Sequence, residues 1–380
     1  MLVLHRGVVK SSRWPFPCKP KTTLRKLFNQ PKHNFMTVRI SLTHRTHYRY
    51  DRHVRLGPQT IRLRPAPHVR TPIVSYALDI QPNQHFLNWH QDPFGNYEAR
   101  VIIPDPTDEF IVSVDLIADM VAVNPFDFFL EDNAYYAPFD YAPDLRADLA
   151  PYLVPQGQGT MFSALAREAM RHYRTARGDL RTIDYLVALN QRLQRDIGYV
   201  VRMEPGIQTP EETLKLAKGS CRDSTWLLVN LLRHVGIAAR FVSGYLVQLT
   251  ADEKSLDGPT GPAADFTDLH AWAEAYIPGA GWIGLDPTSG LFAGEGHIPL
   301  AATPNPGSAA PIFGGLEASK VEFDVDMQVT RLREPARITK PLTPAQVADI
   351  DATADAVDAL LQAGDVRLTM GGGTHVCIRP

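Results

Sequence analysis

Hydrophobic and polar residues alternate from Met36 onward. Val38, Ile40, Leu42 and His44 fall on one side of the alternation, and Arg39, Ser41 and Thr43 on the other. That is the period-two signature of a half-buried strand. Similar stretches recur at 59–64, 73–80, 97–103 and 110–121, separated by turn residues such as Asp92-Pro93-Phe94-Gly95-Asn96. The pattern predicts an antiparallel β-sandwich over 36–150. It contains His44, His47, His53, His68, His85 and His90, whose spacing fits no zinc pattern; they read as histidines on strand surfaces. Residues 124–158 are rich in Pro, Asp, Tyr and Phe and read as a linker packed on the surface. The period then changes. Helices are predicted at 160–175, 181–196 and 221–235, the last with Leu227, Leu228, Leu231, Leu232 and Val235 on one buried face. Strands follow at 239–249, 269–277, 282–285 and 320–332. Helices succeeded by strands within one segment imply an α+β domain, spanning 155–332.

Both ends differ from this body. Residues 1–35 carry eight basic side chains, Arg6, Lys10, Arg13, Lys19, Lys21, Arg25, Lys26 and Lys32, and no Asp or Glu. An organelle-type presequence or a nucleic-acid arm would share that charge. A patterned strand starting directly after Met36 favours an upstream extension outside the fold. At the other end, Thr343-Pro344-Ala345-Gln346 reads as a capping box with proline at the first helical position. Val347, Ile350, Ala354, Val357, Leu360 and Leu361 follow at helical spacing, and Gly364 can stop the helix. Asp365–Met370 then looks like a strand with nothing after it to complete a sheet, so 333–380 reads as the opening of a further, truncated domain.

Composition narrows the function classes. Hydrophobic residues at 44% and charged residues at 21% are ordinary for a folded domain and exclude a disordered or collagen-like chain. No apolar run approaches the roughly 18 residues of a membrane span, and no stretch has the continuous apolar core of a secretory signal. The expected location is therefore cytoplasmic, with no membrane partner. A net charge of -2 gives no reason to expect nucleic acid. Cys18, Cys221 and Cys377 are too few and too scattered for a disulfide framework. No phosphate-binding glycine motif and no metal-ligand cluster is legible, so neither cofactor nor metal is expected. The oligomeric state is open.

The chemistry-bearing residues lie in the second half. Cys221 follows Lys218-Gly219-Ser220 and opens a helix. A thiol there feels the positive end of the helix dipole and the free N–H groups of the first turn, which favour the thiolate and could hold an oxyanion. A buried structural cysteine is the competing account, but it needs no Gly-Ser lead-in. Thiolate catalysis needs a base and a group that orients it. In Leu269–Ile277 the alternation puts Ala271, Ala273, Ala275 and Ile277 on one side, and His270, Trp272, Glu274 and Tyr276 on the other. After the turn Pro278-Gly279-Ala280-Gly281, Trp282, Gly284 and Asp286 share a face. A tight hairpin would set His270 opposite position 289, so contact with Asp286 requires a diagonal approach or a bulge. Taken singly, His270 is a strand-surface histidine and Asp286 a turn residue before Pro287.

These residues resemble the transglutaminase-like superfamily, a papain-related group of thiol acyl-transfer enzymes. The resemblance rests on Gly219-Ser220-Cys221-Arg222-Asp223-Ser224, on Leu231 through Tyr245, on Leu269-His270-Ala271-Trp272, and on Gly281-Trp282-Ile283-Gly284-Leu285-Asp286-Pro287-Thr288. Including the β region before the core, it covers about 36–332. It implies an α+β chain in which an antiparallel sandwich precedes a papain-like core. By motif it implies Cys221 as nucleophile, His270 as general base and acid, and Asp286 as the group orienting the histidine. The implied reaction is acyl transfer from peptide or protein amides through a thioester, resolved by water or by an amine. Hydrolysis is favoured here, because no site that excludes water and admits a lysine-like amine is legible. Protein-glutamine gamma-glutamyl transfer and a non-catalytic binding module are the alternatives. Gln208 and Tyr199 are upstream polar candidates for a second oxyanion donor, and core hydrogen bonding or a solvated loop accounts for them equally. Asp223 reads as a complement to the helix N-terminus. The acids Asp252, Glu253, Asp257, Asp265 and Asp268 lead into His270 and would favour basic substrates if they flank the cleft; a solvated loop is the alternative. Residues 333–372 resemble the junction at which such cores precede a large domain in long bacterial proteins. From Gly373 onward the sequence reads as a frameshifted end, which implies the front part of a longer protein and makes Cys377 incidental.

Overall fold

The structure is a computed structural model. It describes residues 37–175, 180–202, 204–250, 262–334, 342–364, 367–368 and 376–377. The basic segment 1–35, Cys18, and the acids Asp252, Glu253 and Asp257 lie outside the described residues.

Six strands come first: β1 (Val38–Val54), β2 (Leu56–Ile61), β3 (Ile73–Gln81), β4 (Phe86–Gln91), β5 (Tyr97–Ile102) and β6 (Thr107–Met120). A helical stretch follows with α1 (Pro143–Asp148), α2 (Thr160–Thr175) and α3 (Thr182–Asp196). Then come the two-residue β7 (Gly198–Tyr199), α4 (Pro210–Leu216), β8 (Lys218–Gly219) and α5 (Cys221–Val235). Strands β9 (Ala239–Gln248), β10 (Phe266–Ile277), β11 (Gly281–Asp286), β12 (Leu291–Phe292), β13 (His297–Thr303), β14 (Ile312–Leu316) and β15 (Val321–Arg333) complete the body, and α6 (Pro344–Ala363) comes after it.

Two antiparallel sheets, ordered β15-β1-β6-β3 and β14-β2-β5-β4, share one core. Alternation is the cause: Ile40 and Leu42 of β1 and Val112, Val114 and Leu116 of β6 all point into it and are fully buried. A third sheet, ordered β12-β11-β10-β9-β13, carries α5 on one face. Leu227, Leu228 and Leu231 of the helix meet Ala271, Ala273 and Ala275 of β10 in a second core. Small alanines let the helix approach closely, and each buried leucine contributes roughly 2 kcal/mol from the area removed from water. The two cores adjoin, since Tyr245 and Val247 of β9 and Ile298 and Leu300 of β13 belong to the sandwich core.

The structure corrects four expectations. The last strand, assigned from sequence to the 155–332 domain, pairs along its length with β1, and β14 pairs with β2. The chain thus returns to the sandwich after the α+β core, a pairing across some 280 positions that no local pattern reports. The 124–158 segment is no surface linker. It buries Ala134, Ala137, Phe139 and Tyr141, and the Tyr141 hydroxyl donates to Tyr276 O at 2.7 Å and accepts from the Ala238 N–H at 2.9 Å. His44 is no surface histidine either. It is buried between Tyr245 Oη at 2.9 Å and Thr46 Oγ1 at 2.8 Å, and burial lowers its pKa to about 4. Finally, Arg367–Leu368 does find a partner strand in Val376–Cys377. Strands β4, β13 and β14, the two-residue strands β7, β8 and β12, and helices α1 and α4 were not predicted. The capping box that starts α4, Thr209 with Glu212, stood in the sequence as Thr-Pro-Glu-Glu.

Candidate active site

The first turn of α5 is held from several sides. Ser220 is its N-cap residue, and Ser220 donates both its N–H and its hydroxyl to Asp223 Oδ2, each at 2.8 Å. Asp223 is fully buried. It also accepts from the Gln208 N–H and from Arg202 Nη1, again at 2.8 Å. Burial opposes its charge, but these donors win and hold its pKa below the ordinary carboxylate value. Gly219 has a steric role, because a Cβ there would come within 2.8 Å of Asp223 Cβ. Asp223 is therefore the organiser of the turn, as its position at the helix start suggested. The product of this packing is a half-buried Cys221 sulfur at the mouth of the helix.

His270 arrives from β10 and Asp286 from the end of β11. Ala273 pairs with Leu285, so Trp272 stands opposite Asp286 and His270 lies one diagonal step away. The diagonal approach is thus the answer to the register question. Both ends are pinned by the helices: Thr225 Oγ1 of α5 donates to Ala271 O at 3.0 Å, and Asn190 Nδ2 of α3 to Asp286 O at 3.1 Å. His270 Nε2 lies 3.2 Å from Asp286 Oδ2, within pairing distance although off the line of an ideal hydrogen bond. The Thr288 N–H donates to Asp286 Oδ1 and the Ser289 hydroxyl to Oδ2, each at 2.9 Å. Burial works against a charged His270. The Asp286 carboxylate and the nearby Cys221 sulfur outweigh it and raise the imidazole to about 10. Burial likewise opposes the Asp286 charge, and the two neighbouring histidines, His270 and His297, drive its pKa far below the carboxylate range.

The structure thus brings Cys221, His270 and Asp286 into one group. Tyr199, one of the two oxyanion candidates, belongs to it: β7 pairs with β8, which sets Tyr199 beside Gly219. Partial burial and the nearby charges of Cys221, Asp268 and Asp286 raise its pKa. Gln208, the other candidate, spends its N–H on Asp223 and its side-chain oxygen on Thr213. Of the acids before His270 that are described, Asp265 is engaged by Arg331 of β15 at 2.6 Å. Asp268 remains beside the site, where burial raises its pKa against the pull of the Leu269 N–H and His270.

Two neighbours were missed. Ser289 sits in the turn after Pro287, where a serine looks ordinary. His297 opens β13, and His270, Asp286 and His297 present ligand-type atoms within 4.8 Å of one another, a cluster invisible in linear spacing.

Residues 40–119 match the "Bacterial transglutaminase-like N-terminal region" and 158–287 the "Transglutaminase-like superfamily". Residues 317–379 match a family described as "Putative amidoligase enzyme". An uncharacterized protein of Mycobacterium tuberculosis is 25% identical over 308 residues, covering 77% of this chain and 92% of its own length. One of Mycobacterium leprae is 31% identical over 124 residues, covering 32% of this chain and 40% of its own. Among solved structures, a Cytophaga hutchinsonii protein named "Putative Cysteine Protease" superposes with a TM-score of 0.57 at 18% identity, covering 79% of this chain and 93% of that one. That likeness establishes a shared fold. Residues 158–287 thus form a transglutaminase-like superfamily core, preceded over 40–119 by the bacterial transglutaminase-like N-terminal region.

Proposed function

We propose that the protein cleaves amide bonds of peptides or proteins by thiol-dependent acyl transfer, with Cys221 as nucleophile, His270 as general base and acid, and Asp286 as the group that orients His270. The observation that carries this reading is a buried His270 whose Nε2 lies 3.2 Å from the buried Asp286 carboxylate, close enough to the half-buried thiol at the N-terminus of α5 to feel its charge. With Nε2 turned to Asp286, Nδ1 is the nitrogen left to take the thiol proton. Sulfur then attacks the carbonyl carbon, and the oxygen of the tetrahedral intermediate takes the negative charge. First-turn N–H groups of α5 would stabilise that charge, and Tyr199, whose strand pairs beside Gly219, would add a second donor. His270 returns its proton to the leaving nitrogen, the C–N bond breaks and an amine or ammonia departs. In the second half His270 takes a proton from water, the hydroxide adds to the thioester, and the S–C bond breaks to give an acid and the restored thiol.

Water is the acceptor in this reading. Incubation with a glutamine-containing peptide library, with and without a primary amine, tests it by mass spectrometry of the products. Hydrolysed products that disappear with C221A support it. Amine incorporation would make the chain a gamma-glutamyltransferase, and an inert library would favour a binding module.

A further inference from the structure

Asp286 has a neighbour that the three-residue reading leaves idle. The Nε2 atom of His297 lies 3.6 Å from Asp286 Oδ2, is buried, and has no hydrogen-bond partner among the described residues. Its route there is unusual. Strands β12 and β13 occupy opposite edges of the five-stranded sheet, so their connection crosses the face that carries His270 and Trp272. Two glycines open that face. A Cβ on Gly284 would fall 2.4 Å from Ala293 Cβ, and one on Gly244 would fall 2.4 Å from Trp272 Cη2 and from Ile298 O. Through the cleared space the His297 ring meets Trp272 edge-on at 5.1 Å and His270 at 6.0 Å.

The local turn fixes the tautomer. The Gly294 N–H donates to His297 Nδ1 at 3.3 Å, and the His297 N–H returns a bond to Gly294 O at 3.1 Å. A ring nitrogen that accepts carries no proton, so the proton of the neutral ring sits on Nε2 and faces Asp286. This also argues against a cation between the two histidines, because a metal needs the Nε2 lone pair that this tautomer lacks. Oδ2 therefore faces three donors: the Ser289 hydroxyl at 2.9 Å, His270 at 3.2 Å and His297 at 3.6 Å. At its present distance the His297 contact is electrostatic, and a shift of about 0.6 Å turns it into a hydrogen bond.

We propose that His297 is a positioning residue for the thiol chemistry: its Nε2–H steadies Asp286 Oδ2, so that the carboxylate holds His270 in line with Cys221. The inference rests on the catalytic reading above. It is tested on the full chain by the pH dependence of Cys221 alkylation with iodoacetamide, read by mass spectrometry, with melting temperatures alongside. H297F keeps ring bulk and removes the N–H, whereas H297Q restores a side-chain N–H at the same reach. H270A and D286A serve as references. H297F should alkylate about tenfold more slowly at neutral pH, with its acid limb moved to higher pH because Asp286 has lost a donor. H297Q should stay within about threefold of wild type, half a decade on the same scale. Slow H270A and D286A beside an unaffected H297F overturn this inference and leave the catalytic reading standing. Equal slowing in H297F and H297Q overturns it in favour of simple packing. Binding of zinc that H297F abolishes overturns it in favour of a metal site. Wild-type rates in all four variants overturn the catalytic reading itself.

Discussion

Helices α5 and α6 are written in the same local code. Each has apolar residues at helical spacing and a polar N-cap partnered three residues on, Ser220 with Asp223 and Thr343 with Gln346. Their surroundings have nothing in common. Twelve of the 15 residues of α5 are buried, whereas α6 buries none of its 20, and Ile350 and Leu360 are 51% and 73% exposed. The capping carboxylate of α5 takes further donors from Arg202 and Gln208, while among the described residues the Gln346 amide of α6 answers only its own cap. Periodicity and caps specify that a helix forms. What packs around it decides whether its first turn can host chemistry.

Substitutions in the two helices should differ accordingly in their effects. C221A should abolish thiol-dependent turnover without loss of stability, and a residual rate within tenfold of wild type would break the comparison at its centre. Leu228→Ala, in the fully buried face of α5, should cost about 2–5 kcal/mol in denaturant unfolding. D223N removes the charge that Arg202 and the first turn rely on, and should cost about 1.5–3 kcal/mol while slowing Cys221 alkylation. Thr343→Ala removes the equivalent cap from α6 and should lower local helicity by about 1 kcal/mol, leaving the main unfolding transition unmoved. Leu360→Ala should lie within about 0.5 kcal/mol of wild type.

The environment at the end of α5 also has a pH signature that α6 lacks. The His270 pKa is raised from 6.5 to about 10 in the folded protein, burial being outweighed by Asp286 and Cys221. A raised pKa means that the folded state binds the proton more tightly. The stability so gained is complete below pH 6.5 and disappears as pH climbs through about 10. Unfolding midpoints taken across that window should fall more for wild type than for H270Q, and parallel curves would contradict the assignment of the shift.

Much of this was legible in the sequence, and the reasons are physical. Period-two alternation exposed β1, β3, β5, β6 and β10, because each has one face on a core. Cys221 stood out because Gly219-Ser220 announces a helix start, and His270 and Asp286 because alternation placed them on one face. The diagonal step between them had to await the observed register. His297 was invisible for a different reason. Its contact with Asp286 depends on a crossover over Gly244 and Gly284, and a glycine's cleared space has meaning only once the neighbouring strand is known. His44 was misread because its cover, Tyr245, comes from 201 residues away. β15 was placed with the wrong neighbours because its partner, β1, lies at the other end of the chain.

In the proposed reaction Cys221 forms a thioester, and His270 makes it possible. The most direct measurement is acid-quenched, intact-mass analysis of the protein mixed with a glutamine-containing peptide, followed by mapping of the adduct. The expected result is an acyl adduct, the peptide less ammonia, on Cys221 of the wild type and none on H270A. An adduct on another residue, or equal adducts with and without His270, would contradict it.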